Sequence, residues 1–255
     1  MKIIHLSDLH IGKAKKGRWS KFKGLFTNNI KYNKNRTRRL VSYITENEDP
    51  QEVVIVITGD IVDNGSQKEI DAALDELIYL KVEGFEIHVV PGNHDVGRLG
   101  LVYQKKAAQR FRELSRELSG LSSYPYTKEY LNFRLICLDS TCSSKNPMSM
   151  ARGEIGNEQL AYLASRPSNK PTIVSMHHSP LGGNPSLWIR DRDQFLDVTN
   201  RDDMICLYGH LHTREHFFAT QDRCEMIAQD ASTESMSYRV IDPVERSVTS
   251  VKINS

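Results

Sequence analysis

The feature that most constrains this chain is a recurring juxtaposition. Short apolar, β-branched runs stop, and aspartate, asparagine or histidine comes next. The runs cover residues 2–6, 53–58, 85–90, 133–138, 172–176 and 204–208, and their length and composition predict buried strands. Helical periodicity falls between them, over 37–48, 66–83, 102–118, 157–164 and 191–198. The second of these carries a capping box, Ser66 with Glu69, an apolar face of Ile70, Leu74, Leu77 and Ile78, and Gly84 to end it. Strands alternating with helices predict an α/β fold with a mainly parallel sheet in the first half. After Glu215 four strand-like stretches, near 215–219, 225–228, 238–241 and 248–253, have no helical pattern between them, so this end is expected to be antiparallel.

The residues just past the strands carry the chemistry. Asp8 and His10 lie after the first, Asp60 and Asp63 after the second, and Asn93, His94 and Asp95 after the third; His177 and His178 lie after a later one, and His210 and His212 after the last of the α/β portion. In an open α/β sheet the carboxyl ends of parallel strands share one edge, where ligands bind. Asp8, Asp60, Asn93, His10, His177, His210 and His212 would therefore meet. Oxygen mixed with imidazole nitrogen, without thiolate, suits Mn, Fe, Zn, Co or Ni; calcium would want all oxygen. Seven candidate ligands exceed what one ion takes, and two divalent or mixed-valence ions bridged by one carboxylate are the simplest reading. Each block alone could be a turn with surface side chains; five in order, each ending a strand, make the bland reading untenable. Gly59, Gly92 and Gly209 would let the backbone approach the ions.

Composition excludes several other classes. No apolar run approaches the roughly 20 residues of a membrane-spanning helix, and the start, MKIIHLSDLH, is too polar for a secretory signal. A cytoplasmic protein is expected. Cys137, Cys142, Cys206 and Cys224 form no C-x-x-C pair and read as reduced thiols. A net charge of +2 conceals a division: eleven basic residues and no acid lie between Lys13 and Arg39, leaving 23 basic against 32 acidic elsewhere. This insertion, at about 13–36, has three readings: a solvated loop that draws anionic substrate, an amphipathic anchor (Arg18 to Phe26, with Trp19, Phe22 and Leu25) on an anionic membrane surface, or a nucleic-acid contact with Trp19, Phe22 or Tyr32 stacking on bases.

The segments Asp8-Leu9-His10, Gly59-Asp60-Ile61-Val62-Asp63, Gly92-Asn93-His94-Asp95, His177-His178-Ser179-Pro180 and Gly209-His210-Leu211-His212 resemble, in order and spacing, the signature blocks of the calcineurin-like metallophosphoesterases. The stretch Gly153-Glu154-Ile155-Gly156, with Gln159 and Leu163, is similar to the branch holding bacterial class III cyclic nucleotide phosphodiesterases. The resemblance runs from residue 3 to about 216. It implies a metallo-dependent phosphatase-like αββα sandwich, two mixed β-sheets flanked by helices, as a single domain over 1–255 with the antiparallel portion at about 215–255. It implies that Asp8, His10, Asp60 and His212 bind one metal, and Asp60, Asn93, His177 and His210 the other. His94 would be the general acid, oriented by Asp63, with Asn93 and His94 touching substrate. Of the adjacent His177 and His178 only one, His177, is expected to point inward from the strand end; His178 has three readings, a phosphate contact, a place behind the ligands, or simple solvent exposure. The implied activity is hydrolysis of phosphate esters, diesters such as cyclic nucleotides preferred, by metal-bound hydroxide. The alternatives are a nuclease of the double-strand-break repair type and a phosphomonoesterase or phospholipid-directed enzyme at a membrane surface.

Overall fold

The computed structural model describes residues 1–12, 34–141, 150–167 and 169–253. Most of the basic insertion, including Arg18 to Phe26 and Tyr32, and also Cys142, lie outside the described residues.

Among the described residues, thirteen strands form two large sheets and a small hairpin. In the first sheet, β1 (Lys2–Leu6), β2 (Val53–Ile57) and β3 (Glu86–Val89) are parallel, and β12 (Ser237–Asp242) and β13 (Ser247–Lys252) continue it antiparallel from β1. In the second, β7 (Arg134–Cys137), β8 (Thr172–Ser175), β9 (Met204–Tyr208) and β11 (Glu225–Ala228) are parallel, flanked by antiparallel β6 (Tyr126–Glu129) and β10 (His216–Phe217). Two-residue alternation sorts side chains into three cores. Ile3, Val54, Val56, Leu135, Ile173, Ile205 and Leu207 meet between the sheets. Ile4, Leu6, Ile55 and Ile57 face the opposite way, onto the helices Lys34–Asn47, Gln67–Val82 and Lys105–Ser119. Val174, Cys206, Tyr208 and Met226 pack under Asn157–Ala164 and Arg192–Thr199. This is the expected αββα sandwich of two mixed sheets flanked by helices.

Three details depart from the sequence-based expectation. Residues 225–228 are not purely antiparallel: β11 runs parallel to β9, because the chain returns through β10 at the sheet edge. The helix expected from 102 begins at Lys105, since Val102–Tyr103 pairs with Gly97–Arg98 as the hairpin β4–β5. Strand β6 lies outside the apolar runs, being polar (YTKE) and half-buried at an edge. The capping box at Ser66 and Glu69 is present. Of the basic run, Arg38 donates to buried Glu76 at 2.9 and 3.1 Å, and Arg36 to the carbonyls of Thr233 and Glu234. Cys137, Cys206 and Cys224 are buried and free.

His5, inside β1, donates from Nε2 to Thr58 Oγ1 at 2.9 Å. Burial, aided by the Arg239 charge, lowers its pKa from 6.5 to about 3. Protonation therefore favours the unfolded chain: this contribution to stability is complete above pH 6.5 and is lost as pH falls toward 3. Between pH 7 and pH 5 the wild type is expected to lose about 2 kcal/mol more than His5→Gln, read from urea midpoints at the two pH values. Equal losses would contradict it.

Candidate metal centre

Loops at the carboxyl ends of β1, β2, β3, β8 and β9 meet where the two sheets converge, and the parallel register continues into them. Asp8 N donates to Gly59 O, His10 N to Asp60 O and Gly209 N to His177 O, at 2.9–3.1 Å. Turning each side chain inward takes unusual backbone. Asp8, His10, Asp60, His210 and His212 are five of the eight described non-glycine residues with positive φ, a region that costs energy for residues with a Cβ. Glycine is needed where these turns pack together. A Cβ on Gly59 would lie 2.7 Å from His177 Nδ1, and one on Gly209 would overlap Ser7 Oγ and Asp8 Oδ2.

All seven candidate ligands converge in two sets that share Asp60. In the first, His212 Nε2 lies 3.2 Å from Asp8 Oδ1 and from His10 Nε2, and His10 Nε2 is 3.8 Å from Asp8 Oδ1 and Asp60 Oδ2. In the second, His177 Nε2 lies 3.3 Å from Asp60 Oδ2, 3.0 Å from Asn93 Oδ1 and 3.2 Å from His210 Nδ1.

The hydrogen bonds around the centre test whether cations fit. His177 Nδ1 donates to Thr58 O at 2.7 Å, His210 Nε2 to Ala151 O at 2.9 Å, and Asn93 Nδ2 to Gly100 O at 2.9 Å. Asp60 Oδ1 accepts from His94 N, and Asp8 Oδ2 from Ser7 Oγ and His210 N. Each of these outward atoms is thus committed, which fixes tautomers and the amide orientation. The atoms left facing inward are lone pairs: His177 Nε2, His210 Nδ1, Asn93 Oδ1, Asp60 Oδ2 and Asp8 Oδ1, the last buried and outside the hydrogen-bond network. Acceptors packed at about 3 Å repel unless a cation or proton lies among them, so the residues fit a metal pair.

Electrostatics agree. Burial alone would raise the Asp8 and Asp60 carboxyls, but the imidazoles His212 and His177 outweigh it and hold both below the ordinary range. Burial likewise opposes charge on His177, yet Asp60 pushes its pKa up to about 9. His210, with burial and His177 acting together, falls to about 3 and offers a neutral lone pair. A proton would compete with a metal for His177 Nε2, so metal affinity should rise with pH.

His94 is 24% exposed, its ring centroid 4.9 Å from that of His10. Its expected partner Asp63 is there, but the close contact is to the main chain: Nδ1 donates to Asp63 O at 2.8 Å, while the carboxylate is 3.7 Å away. That leaves Nε2 as the ring nitrogen not held by the main chain, the end at which a proton can be exchanged. His178 departs further from expectation. It is fully buried, its Nδ1 2.9 Å from Ser140 Oγ and its Nε2 donating to Met150 O at 2.9 Å, so both nitrogens are occupied by protein and neither faces substrate. Asp95, to which the sequence reading assigns no role, staples the site. Its oxygens accept from Val62 N and Gly92 N, tying the loops after β2 and β3, and burial beside Asp60 pushes its pKa up to about 7. The fourth letter of Gly92-Asn93-His94-Asp95 is the available signal. The carbonyls of Thr58, Ala151 and Gly100 have none, because no side-chain pattern encodes a carbonyl's direction.

The profile of the calcineurin-like phosphoesterase family matches residues 1–214, and the chain belongs to that family. Among curated proteins it is 30% identical over 131 residues to the glycerophosphodiester phosphodiesterase GpdQ of Enterobacter lignolyticus, covering 50% of this chain and 42% of that one. It is 23% identical over 208 residues to the 3′,5′-cyclic-nucleotide phosphodiesterase alr5338 of a Nostoc species, covering 72% of this chain and 67% of that one. The chain thus spans about two fifths of the first relative's length and two thirds of the second's. Phosphopantetheinyl hydrolase PptH of Mycobacterium tuberculosis is similar in structure over 91% of this chain and 90% of its own, at 13% identity and a TM-score of 0.49. Among the described residues no helix is long and apolar enough to cross a membrane.

Proposed function

We propose that the chain hydrolyses phosphate esters, diesters above all, at a dinuclear centre bridged by Asp60, with His94 as general acid. The observation that carries this reading is Asp60 Oδ2, the atom common to two clusters of inward-facing lone pairs. Asp8, His10, Asp60 and His212 would hold one ion, and Asp60, Asn93, His177 and His210 the other. Such ions supply Lewis acidity at phosphoryl oxygens and bring the pKa of water toward neutrality. The chain's own part is to aim these ligands and to move one proton. A water oxygen attacks phosphorus, the bond from phosphorus to the departing oxygen breaks, and the proton on His94 Nε2 passes to that oxygen. The proton given up by the water replaces it on the ring, which the Asp63 carbonyl holds in place.

The diester preference is supported by the two curated relatives, each a phosphodiesterase. The test uses Mn²⁺-loaded protein on bis(p-nitrophenyl) phosphate, 3′,5′- and 2′,3′-cyclic nucleotides, p-nitrophenyl phosphate and single-stranded DNA. Expected are metal-dependent turnover abolished by EDTA and a higher kcat/KM on diesters than on the monoester. A monoester preference would overturn the substrate class, and no turnover with two bound ions would overturn the reading itself.

A further inference from the structure

The hairpin β4–β5 leans on the catalytic end of the site. Gly100, at its tip, has φ +65 and accepts Asn93 Nδ2 on its carbonyl, which keeps Asn93 Oδ1 aimed inward. A Cβ on Gly100 would lie 2.5 Å from His94 Cδ2 and Nε2 and 2.6 Å from Asn93 Nδ2. The hairpin backbone is therefore packed against the nitrogen that serves the leaving oxygen. It is also tied in place: Leu99 N donates to Asn64 Oδ1, whose amide bonds the Asp63 carboxylate, and Gln104 N donates to Val96 O.

The residues flanking Gly100 are out of character for a turn. Leu99 is 47% exposed, Leu101 51% and Val102 41%. Leu99 moreover has φ +54, where glycine or asparagine is at ease and leucine is strained. An apolar side chain that is both strained and half in water gains little for folding, and strain of this kind collects where substrates bind. Polar turn residues would suit the hairpin better on local grounds alone.

Resting on the function proposed above, we infer that Leu99 and Leu101 form an apolar wall for the departing group, so that the enzyme prefers diesters whose leaving alcohol carries an apolar face, aromatic or acyl, over those that release a small polar alcohol. The hairpin sits beside His94 Nε2, the donor to that alcohol, so the wall reads the leaving side of the phosphorus. Gly100 acts as a positioning residue beneath it.

The experiment compares wild type with Leu99→Asn and with Leu99→Asn/Leu101→Ser on three Mn²⁺-supported reactions: bis(p-nitrophenyl) phosphate, a monoacyl glycerophosphodiester and glycerophosphoethanolamine. The ratio of kcat/KM for each apolar substrate to that for glycerophosphoethanolamine is expected to fall about tenfold or more in the double variant, the scale of discrimination by a small apolar pocket. The aryl and acyl arms tell which face is read. Asparagine tolerates positive φ, so Leu99→Asn should keep or raise Tm. Unchanged ratios in both arms, or a Tm several degrees lower in Leu99→Asn, would overturn the inference and make these leucines packing residues. Wild type inactive on all three substrates would instead strike the functional reading on which it rests.

Discussion

Asp60→Asn is expected to empty both metal sites and lower turnover by on the order of 10³-fold, the upper range for one preorganised electrostatic group. Lost charge is only part of the reason. Asp60 Oδ1 accepts the His94 amide at 2.9 Å, so an asparagine there must keep its oxygen on that side. Its NH₂ then takes the place of Oδ2, the atom 3.3 Å from His177 Nε2 and 3.8 Å from His10 Nε2. Where the wild type would offer a lone pair to two ions, the variant would offer N–H to both. In metal-free protein the variant also loses the pairing of Asp60 with protonated His177, whose pKa Asp60 pushes up to about 9, so the urea midpoint at pH 7 should fall. Metal analysis after Mn²⁺ loading and desalting, with the kinetics, checks the whole expectation; a variant that keeps two ions and a tenth of its activity would refute the bridging role.

The second large effect is at His94. His94→Gln should cost about 10²- to 10⁴-fold in kcat on an alkyl diester, the range for a lost general acid, and far less on bis(p-nitrophenyl) phosphate, whose nitrophenolate departs without a proton. Bound metal should be unchanged, since the ring is held by the Asp63 carbonyl and belongs to neither ligand set. The contrast between leaving groups carries the claim. Equal losses on both substrates would mean that His94 positions phosphate or supports the fold.

Residue order alone reveals most of the core. Val53 to Ile57 can be read as a strand buried on both faces because five apolar β-branched residues in succession suit nothing exposed. The helix Gln67–Val82 is readable because its cap and its apolar face are local. Strand β6 and the parallel pairing of β11 with β9 are not, since edge pairing is chosen by what the rest of the sheet leaves open. The site divides in the same way. Ligand types and their positions at strand ends are written in the blocks themselves, whereas the burial of His178, the carbonyl partner of His94 and the staple at Asp95 depend on contacts between loops distant in sequence.

Residue types and strand ends are local properties, and they were enough to point to the candidate donors and the edge on which they gather. Which atom of each donor faces inward was settled by the folded chain. A neutral imidazole or an amide has two chemically different ends, and the choice between them is made by carbonyls and N–H groups, such as Thr58 O, Ala151 O and Gly100 O, that the fold brings up from elsewhere.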